Sequence, residues 1–250
     1  MVGRAAALLG LVAAIAAYDV GHAHLWDASD WWDVAFIAVV LIPATFGLAW
    51  LILPLRHARG LLPAGLALAV LTVVLHVAGW NTPENILKLF AVSLIGFWFL
   101  SYFETASWVV LVAFIIPWVD AYSVFSSHGP THNIVHHHAH VFTTLSYAFP
   151  IPGEDSSANL GLPDLLFFSL FLAASVRFAL RPAWTWLALT ASFGATIAVA
   201  VALELGGLPA LPLLSLGFLA PNADLLWARL RQGQRSGRTL PTGHDRGSEP

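Results

Sequence analysis

Runs of mostly apolar residues recur along the chain, separated by short segments that hold charged residues, proline and glycine. Many of these runs approach the roughly 20 residues that a helix needs to cross the hydrocarbon core of a membrane. Hydropathy predicts eight spans, at residues 5–20, 34–55, 61–80, 86–103, 106–126, 160–180, 183–203 and 207–227. The predicted fold is therefore all-α, a polytopic transmembrane bundle of about eight helices that forms one domain over residues 1–227.

Two longer segments lie outside the predicted spans. Residues 127–159 are predicted to form an extracytoplasmic loop rich in histidine, and residues 228–250 a cytoplasmic basic tail that we expect to be disordered. The remaining connections are short. The chain therefore has no room for a separate soluble domain.

Composition supports a membrane protein and excludes several kinds of chemistry. Hydrophobic residues make up 58% of the chain and charged residues 10%, which is not the composition of a water-soluble domain. Because cysteine is absent from the sequence, disulfides and thiolate catalysis are excluded. A net charge of −3, without a basic stripe, argues against a nucleic-acid partner.

The distribution of basic residues predicts the orientation of the chain. All but one of the 11 lysines and arginines fall on one side of the predicted topology, and the exception is Lys88. Basic residues concentrate on the cytoplasmic side of membrane proteins, so we expect both termini in the cytoplasm and a location in the plasma membrane. Residues 1–23 also fit a cleavable signal peptide, an alternative that leaves the orientation of the later spans unchanged.

Two aspartates interrupt apolar helices that follow each other in the chain. Asp120 lies in FIIPWVDAYSVF and Asp164 in GLPDLLFFSLFLAA. A charged side chain in the bilayer costs roughly 2.5–3.5 kcal/mol on insertion scales, so each aspartate is a candidate functional residue. At 1.5 Å per residue, Asp120 lies roughly 9 Å and Asp164 roughly 6 Å from the outer ends of their spans, so the two can meet. Asp164 also fits an ordinary helix start, where an acid favours the helix dipole.

A Pro-Ala-Leu sequence opens the last predicted span at the same outer face. With it, the order of elements resembles the presenilin and signal peptide peptidase superfamily, the intramembrane aspartyl proteases of the GxGD type. That family has one aspartate, often after tyrosine, in one helix, a second in the next helix as Gly-x-Gly-Asp, and Pro-Ala-Leu at the start of the last helix. The matching residues here are Val119-Asp120, Gly161-Leu162-Pro163-Asp164 and Pro209-Ala210-Leu211.

This chain departs from the family pattern at two positions. Val119 stands where the family has tyrosine, and Pro163 where it has the second glycine. The resemblance covers roughly residues 106–227, and the earlier spans match only in being hydrophobic. A literal Tyr18-Asp19 ends the first span, but the family's first aspartate lies in the helix directly before the Gly-x-Gly-Asp helix. We therefore do not expect Asp19 to be catalytic.

The resemblance implies a presenilin-like hydrolase that cleaves membrane-spanning peptides or proteins within the lipid bilayer and needs no cofactor. Asp120 and Asp164 would be the catalytic pair. One carboxylate would activate a water and the other would supply a proton, since two close carboxyls share one proton. The residues expected to position the substrate are Gly161, Pro163, Pro209, Ala210 and Leu211.

A cluster of histidines after the Asp120 helix favours a different function. The segment HGPTHNIVHHHAH contains His128, His132, His136, His137, His138 and His140. Imidazoles at this density bind zinc, nickel or copper, so a divalent-metal or proton-coupled transporter stays an alternative. A second alternative is a proteolytically inert relative that binds membrane segments, which Val119 and Pro163 favour.

Overall fold

The computed structural model describes residues 2–126, 144–205 and 208–236. The helices are α1 (Val2–Gly21), α2 (Asp30–His57), α3 (Leu61–Val77), α4 (Asn81–Phe99), α5 (Ala106–Phe125), α6 (Leu162–Arg177), α7 (Pro182–Ala202), α8 (Leu211–Leu219) and α9 (Ala223–Ser236). Helix α2 contains a π turn, Ile37–Leu41, and ends in a 3-10 turn, Leu53–His57. A 3-10 turn, Leu100–Tyr102, also follows α4. Two strands, β1 (Ser146–Pro150) and β2 (Ser157–Gly161), lie between α5 and α6.

A helix occupies each of the predicted spans, so the predicted helical bundle is confirmed. Within the described residues, six helical segments are long and apolar enough to cross a membrane, and the chain is accordingly an integral membrane protein. One of the six segments, Leu211–Arg229, combines α8 with the start of α9. The two helices that are not among the six are shorter: α3 has 17 residues and α6 has 16.

Helix α6 lies in the interior of the bundle, with most of its side chains buried. Phe168 of α6 stacks on Phe46 of α2 with ring centroids 3.9 Å apart. One turn further on, Phe171 stacks on Phe218 of α8 at 4.8 Å. Buried aromatic pairs of this kind stabilise packing beyond the area they remove from solvent. They hold α6 between α2 and α8.

Small residues let α4 approach α6 closely on its other side. A Cβ at Gly96 would lie 2.8 Å from the Leu166 carbonyl oxygen, so only glycine fits there without displacing backbone. Nearby, the buried hydroxyls of Ser93 and Ser169 are hydrogen-bonded at 2.9 Å. Small side chains at helix contacts are typical of membrane proteins, where backbones pack closely.

Strands β1 and β2 form an antiparallel hairpin in which Ser146 pairs with Gly161 and Pro150 with Ser157. The sequence predicted a loop up to residue 159 and a helix from residue 160, and this boundary is wrong. Residues up to Gly161 are extended, and α6 begins only at Leu162. The hairpin therefore runs directly into the helix that carries Asp164.

A buried asparagine fixes the junction between α7, α8 and α9. Asn222 accepts a hydrogen bond from the Arg181 backbone N–H at 3.0 Å, and donates to Thr185 Oγ1 and to the Phe218 carbonyl, both at 2.8 Å. The Arg181 guanidinium also pairs with Asp224 through two contacts of 2.7 and 2.8 Å. These bonds hold the C-terminal end of α8 against α7.

Helix α9 continues through Ser236. Residues 228–236 are therefore helical, where the sequence predicted a disordered tail. The Arg231 guanidinium lies 4.8 Å from the centre of the Trp227 ring, one helical turn away. Side-chain pairs four residues apart stabilise an exposed helix, and this explains why α9 continues beyond the apolar part of the sequence. Residues 237–250 lie outside the described residues.

Candidate active site

Asp120 lies in the second half of α5 and points into the bundle, where its carboxylate meets the start of α8. It is half-buried, whereas its neighbours Trp118 and Val119 are 79% and 61% exposed. The Leu211 N–H donates a hydrogen bond to Asp120 Oδ2 at 3.0 Å. Since Val119 projects away from the protein, its departure from the tyrosine of the family pattern changes the outer face of α5 and not the surroundings of the carboxylate.

The Pro-Ala-Leu segment meets Asp120 through the first turn of α8. The first N–H groups of a helix have no partner within the helix, and the helix dipole makes this end favourable for a carboxylate. Leu211 is the first residue of α8, and Pro212 follows it, so the Leu211 N–H is one of these free donors. Both Ala210 and Leu211 are buried. Asp120 thus caps a neighbouring helix with its side chain.

Asp164 is the third residue of α6, directly after the β-hairpin. It is half-buried, and its charge lies close enough to interact with that of Asp120. A Cβ at Gly161 would lie 3.1 Å from Asp164 Oδ2, so the glycine leaves room for the carboxylate. Pro163 falls in the first turn, where a missing N–H removes no helical hydrogen bond. This explains why proline fits where the family pattern has glycine.

The three helices expected to carry the site pack against one another. Helix α8 contacts both α5 and α6, and α5 contacts α6. Leu211 of α8 therefore meets Asp120 of α5, and Asp164 lies in the first turn of α6, which packs against both helices. Pro209 precedes α8 without regular secondary structure, and Pro163 is exposed on the far side of α6, where it lines an apolar groove between α4 and α6.

Asn85 and Lys88 of α4 hold the hairpin in place, and Glu84 pairs with Lys88. Of the three, only Lys88 stood out in the sequence, as the one basic residue on the outer side of the predicted topology. Asn85 Nδ2 donates to the Ala148 carbonyl at 2.7 Å and its Oδ1 accepts from the Ala148 N–H at 2.9 Å. Lys88 Nζ donates to the Ser146 carbonyl at 3.1 Å and pairs with Glu84 at 2.7 Å. A lone Lys88 four residues after Glu84 in an apolar helix was the available signal, since charges inside membrane helices are paired.

Because of these contacts, the outer edges of the two strands differ in what lies beside them. Side chains of α4 occupy the outer edge of β1 by bonding the backbone of Ser146 and Ala148. In the described part of the chain, the sheet has only two strands, so the outer edge of β2 has no strand beside it. On that outer edge the Ser157 carbonyl accepts a hydrogen bond from Asn159 Nδ2 at 3.2 Å. Strand β2 ends at Gly161, directly before the helix that carries Asp164.

The remaining candidates fall elsewhere. Asp19 hydrogen-bonds the Thr82 hydroxyl at the start of α4. Its described hydrogen-bond partner is therefore neither Asp120 nor Asp164. The histidines at 128, 132, 136, 137, 138 and 140 lie outside the described residues.

No protein-family model matches the chain, and no curated protein is significantly similar to it. The functional assignment therefore depends on the sequence pattern and on the geometry of the site.

Proposed function

We propose that this protein is an intramembrane aspartyl protease, related to the presenilin and signal peptide peptidase superfamily, that cleaves membrane-spanning segments of peptides or proteins. One observation carries the proposal. Asp120 and Asp164, from two different helices, come within electrostatic reach of each other at the point where the Leu211 N–H meets Asp120. Two carboxyls in one low-dielectric site cannot both ionise at low cost, so the pair holds one proton.

A shared proton provides both halves of acid–base hydrolysis. The ionised carboxylate takes a proton from water, which attacks the carbonyl carbon of the peptide bond. The protonated carboxyl donates its proton to the carbonyl oxygen, which gives a tetrahedral diol. The carboxyl that took the water proton then passes it to the leaving nitrogen as the C–N bond breaks, and the other carboxylate takes a proton back from a diol hydroxyl. The Leu211 N–H holds Asp120 in one orientation throughout, because a hydrogen bond to a carboxylate oxygen fixes the plane of the group.

The outer edge of β2, with which no other described strand pairs, supports a peptide as the substrate. A helical peptide bond has its N–H and C=O groups occupied, so a transmembrane segment must become extended before it is cut. An extended segment can then add to a free strand edge through backbone hydrogen bonds. Since β2 ends at Gly161, a segment added there would lead its backbone toward Asp164.

The helix cap supports a second candidate function, an inert relative that binds membrane segments. Asp120 accepts a hydrogen bond from the first N–H of α8, which is a structural role that needs no catalysis. Asparagine at this position can still accept from Leu211 but cannot exchange a proton as a carboxyl does. Asp120→Asn therefore separates the cap from the chemistry.

The test is cleavage of a tagged single-span substrate by the purified protein in liposomes. A protease should lose at least about 100-fold in rate in Asp120→Asn and in Asp164→Asn, because each removes one half of the acid–base pair. Asp19→Asn is the matched control, an acid of a membrane helix whose partner is Thr82, and should keep the wild-type rate. Both site variants should keep the wild-type melting temperature within a few degrees.

Binding of a hydroxyl-containing transition-state analogue provides a second measurement. The wild type should bind it and Asp164→Asn should not, since such analogues place their hydroxyl between the two carboxyls. A folded wild type that neither cleaves any of several single-span substrates nor binds the analogue would support the inert relative instead. Equal cleavage by the wild type and Asp164→Asn would remove the pair from the mechanism.

A further inference from the structure

A small cavity lies at the end of the bundle opposite the aspartates, where α2, α4 and α6 end together. Its volume is about 180 Å³. Its lining residues are Arg56, His57, Phe97, Leu100, Ser101 and Arg177. The lining is thus apolar on the side of α4 and basic on the sides of α2 and α6. This end carries the arginines that predict the cytoplasmic side.

Arg56 has a donor without an acceptor. Its Nη1 donates to the Leu53 carbonyl at 3.2 Å, which satisfies one terminal carbonyl of α2. Its Nε is buried, and the described residues offer it no hydrogen-bond partner. The guanidinium group of Arg56 also lines the cavity, and its hydrogen bond to the described residues is the one from Nη1 to Leu53.

The positive charge around the cavity is not neutralised by the protein. Arg177 donates through Nη1 to the Leu100 carbonyl at 2.5 Å, and Arg4 donates to the Trp50 and Leu51 carbonyls at 2.7 and 2.9 Å. Among the described residues, each ion pair uses a basic residue other than Arg4, Arg56 and Arg177. No described carboxylate therefore pairs with these three arginines. Arg4 is also close enough to repel Arg56. An anion would relieve this repulsion.

Capping of helix ends explains part of this arrangement but not all of it. Arginines at helix C-termini bond the last carbonyls and favour the dipole, as Arg56 and Arg177 do here. Capping does not require that the two arginines line one cavity without a carboxylate partner among the described residues. This arrangement fits an anion with several oxygens, and the arginine fork suits phosphate oxygens.

We infer that this cavity binds the phosphate of an anionic phospholipid. The guanidinium groups of Arg56 and Arg177 bond its oxygens, and Ser101 lines the same cavity. The cavity is at the ends of apolar helices, where lipid headgroups lie, and basic sites between helices on the cytoplasmic side are typical of anionic lipid binding. Phe97 and Leu100 provide the apolar wall that a glycerol backbone and acyl chains require.

The test measures binding of a short-chain phosphatidylglycerol to delipidated protein in detergent, by native mass spectrometry and by the shift in melting temperature. The wild type should bind phosphatidylglycerol at least about tenfold more tightly than phosphatidylcholine of the same chain length. Arg56→Gln and Arg177→Gln should each remove most of this preference. Arg59→Gln, an exposed arginine of the same loop that does not line the cavity, is the matched control and should keep it.

A control with inorganic phosphate distinguishes binding of the lipid from binding of its phosphate alone. It should raise the melting temperature far less than phosphatidylglycerol at equal concentration, and equal shifts would overturn the assignment to a lipid. Equal phosphatidylglycerol binding in the wild type and in Arg177→Gln would overturn the site itself. Arg177 is exposed, so its variant should fold even if Arg56→Gln does not.

Discussion

Replacing Asn85 by leucine tests whether α4 holds the hairpin that leads to Asp164. The substitution keeps the size of the side chain and removes both of its hydrogen bonds to Ala148, of 2.7 and 2.9 Å. A hydrogen bond contributes about 0.5–1.5 kcal/mol net, and a group left without a partner costs about 1–3 kcal/mol when buried. Ala148 is half-buried, so the free energy of hairpin opening should fall by about 1–3 kcal/mol.

Hydrogen exchange followed by mass spectrometry measures this change directly. A loss of about 1–3 kcal/mol accelerates exchange from the open state by about 5- to 150-fold, in peptides that cover β1 and β2. Asn81→Leu, which changes an exposed asparagine at the start of the same helix, should leave exchange in the hairpin unchanged. Unchanged exchange in Asn85→Leu, or equal acceleration in both variants, would refute the clamp.

Two further predictions concern packing inside the bundle. Lys88→Met removes the 2.7 Å partner of the buried Glu84 and leaves it the contact with His76 at 3.2 Å, so the free energy of unfolding should fall by up to about 3–5 kcal/mol. Adding Glu84→Gln should restore much of this loss in chemical denaturation. Gly96→Ala places a Cβ 2.8 Å from the Leu166 carbonyl oxygen and should cost about 1–3 kcal/mol in the same denaturation experiments. Gly10→Ala, with no atom within 4 Å, is its control, and equal melting of both would contradict the close contact.

Hydropathy predicted the helices well because a membrane-spanning helix satisfies its own backbone and needs a long apolar stretch that the sequence displays. The same reasoning could not find the hairpin. Its register depends on Asn85 and Lys88, which are distant in sequence and bond the backbone of β1. A strand held by side chains of another element carries little local signal. The start of α6 was predicted too early for this reason.

The sequence predicts a similar depth for the two aspartates, because a helix rises by a fixed distance per residue from the end of its span. The hydrogen-bond partner of Asp120 could not be predicted from the sequence. Pro-Ala-Leu marks the start of a helix, but the sequence does not tell which side chain meets its free N–H groups. The tertiary packing of α5 against α8 decides that Asp120 does so through Leu211.

The attachment of α8 at both ends has a mechanical consequence. Its first N–H is bonded to Asp120, and Asn222, just beyond its last turn, is bonded to α7. From Leu211 to Asn222 the helical rise is roughly 17 Å, so the segment acts as a short rigid lever between the middle of the bundle and its far end. We expect a displacement of Asn222 to be transmitted to Leu211, because α8 and the 3-10 turn Ala220–Asn222 that follows it form one continuous helical segment. The position of the Asp120 carboxylate is thereby coupled to the helix junction on the opposite face.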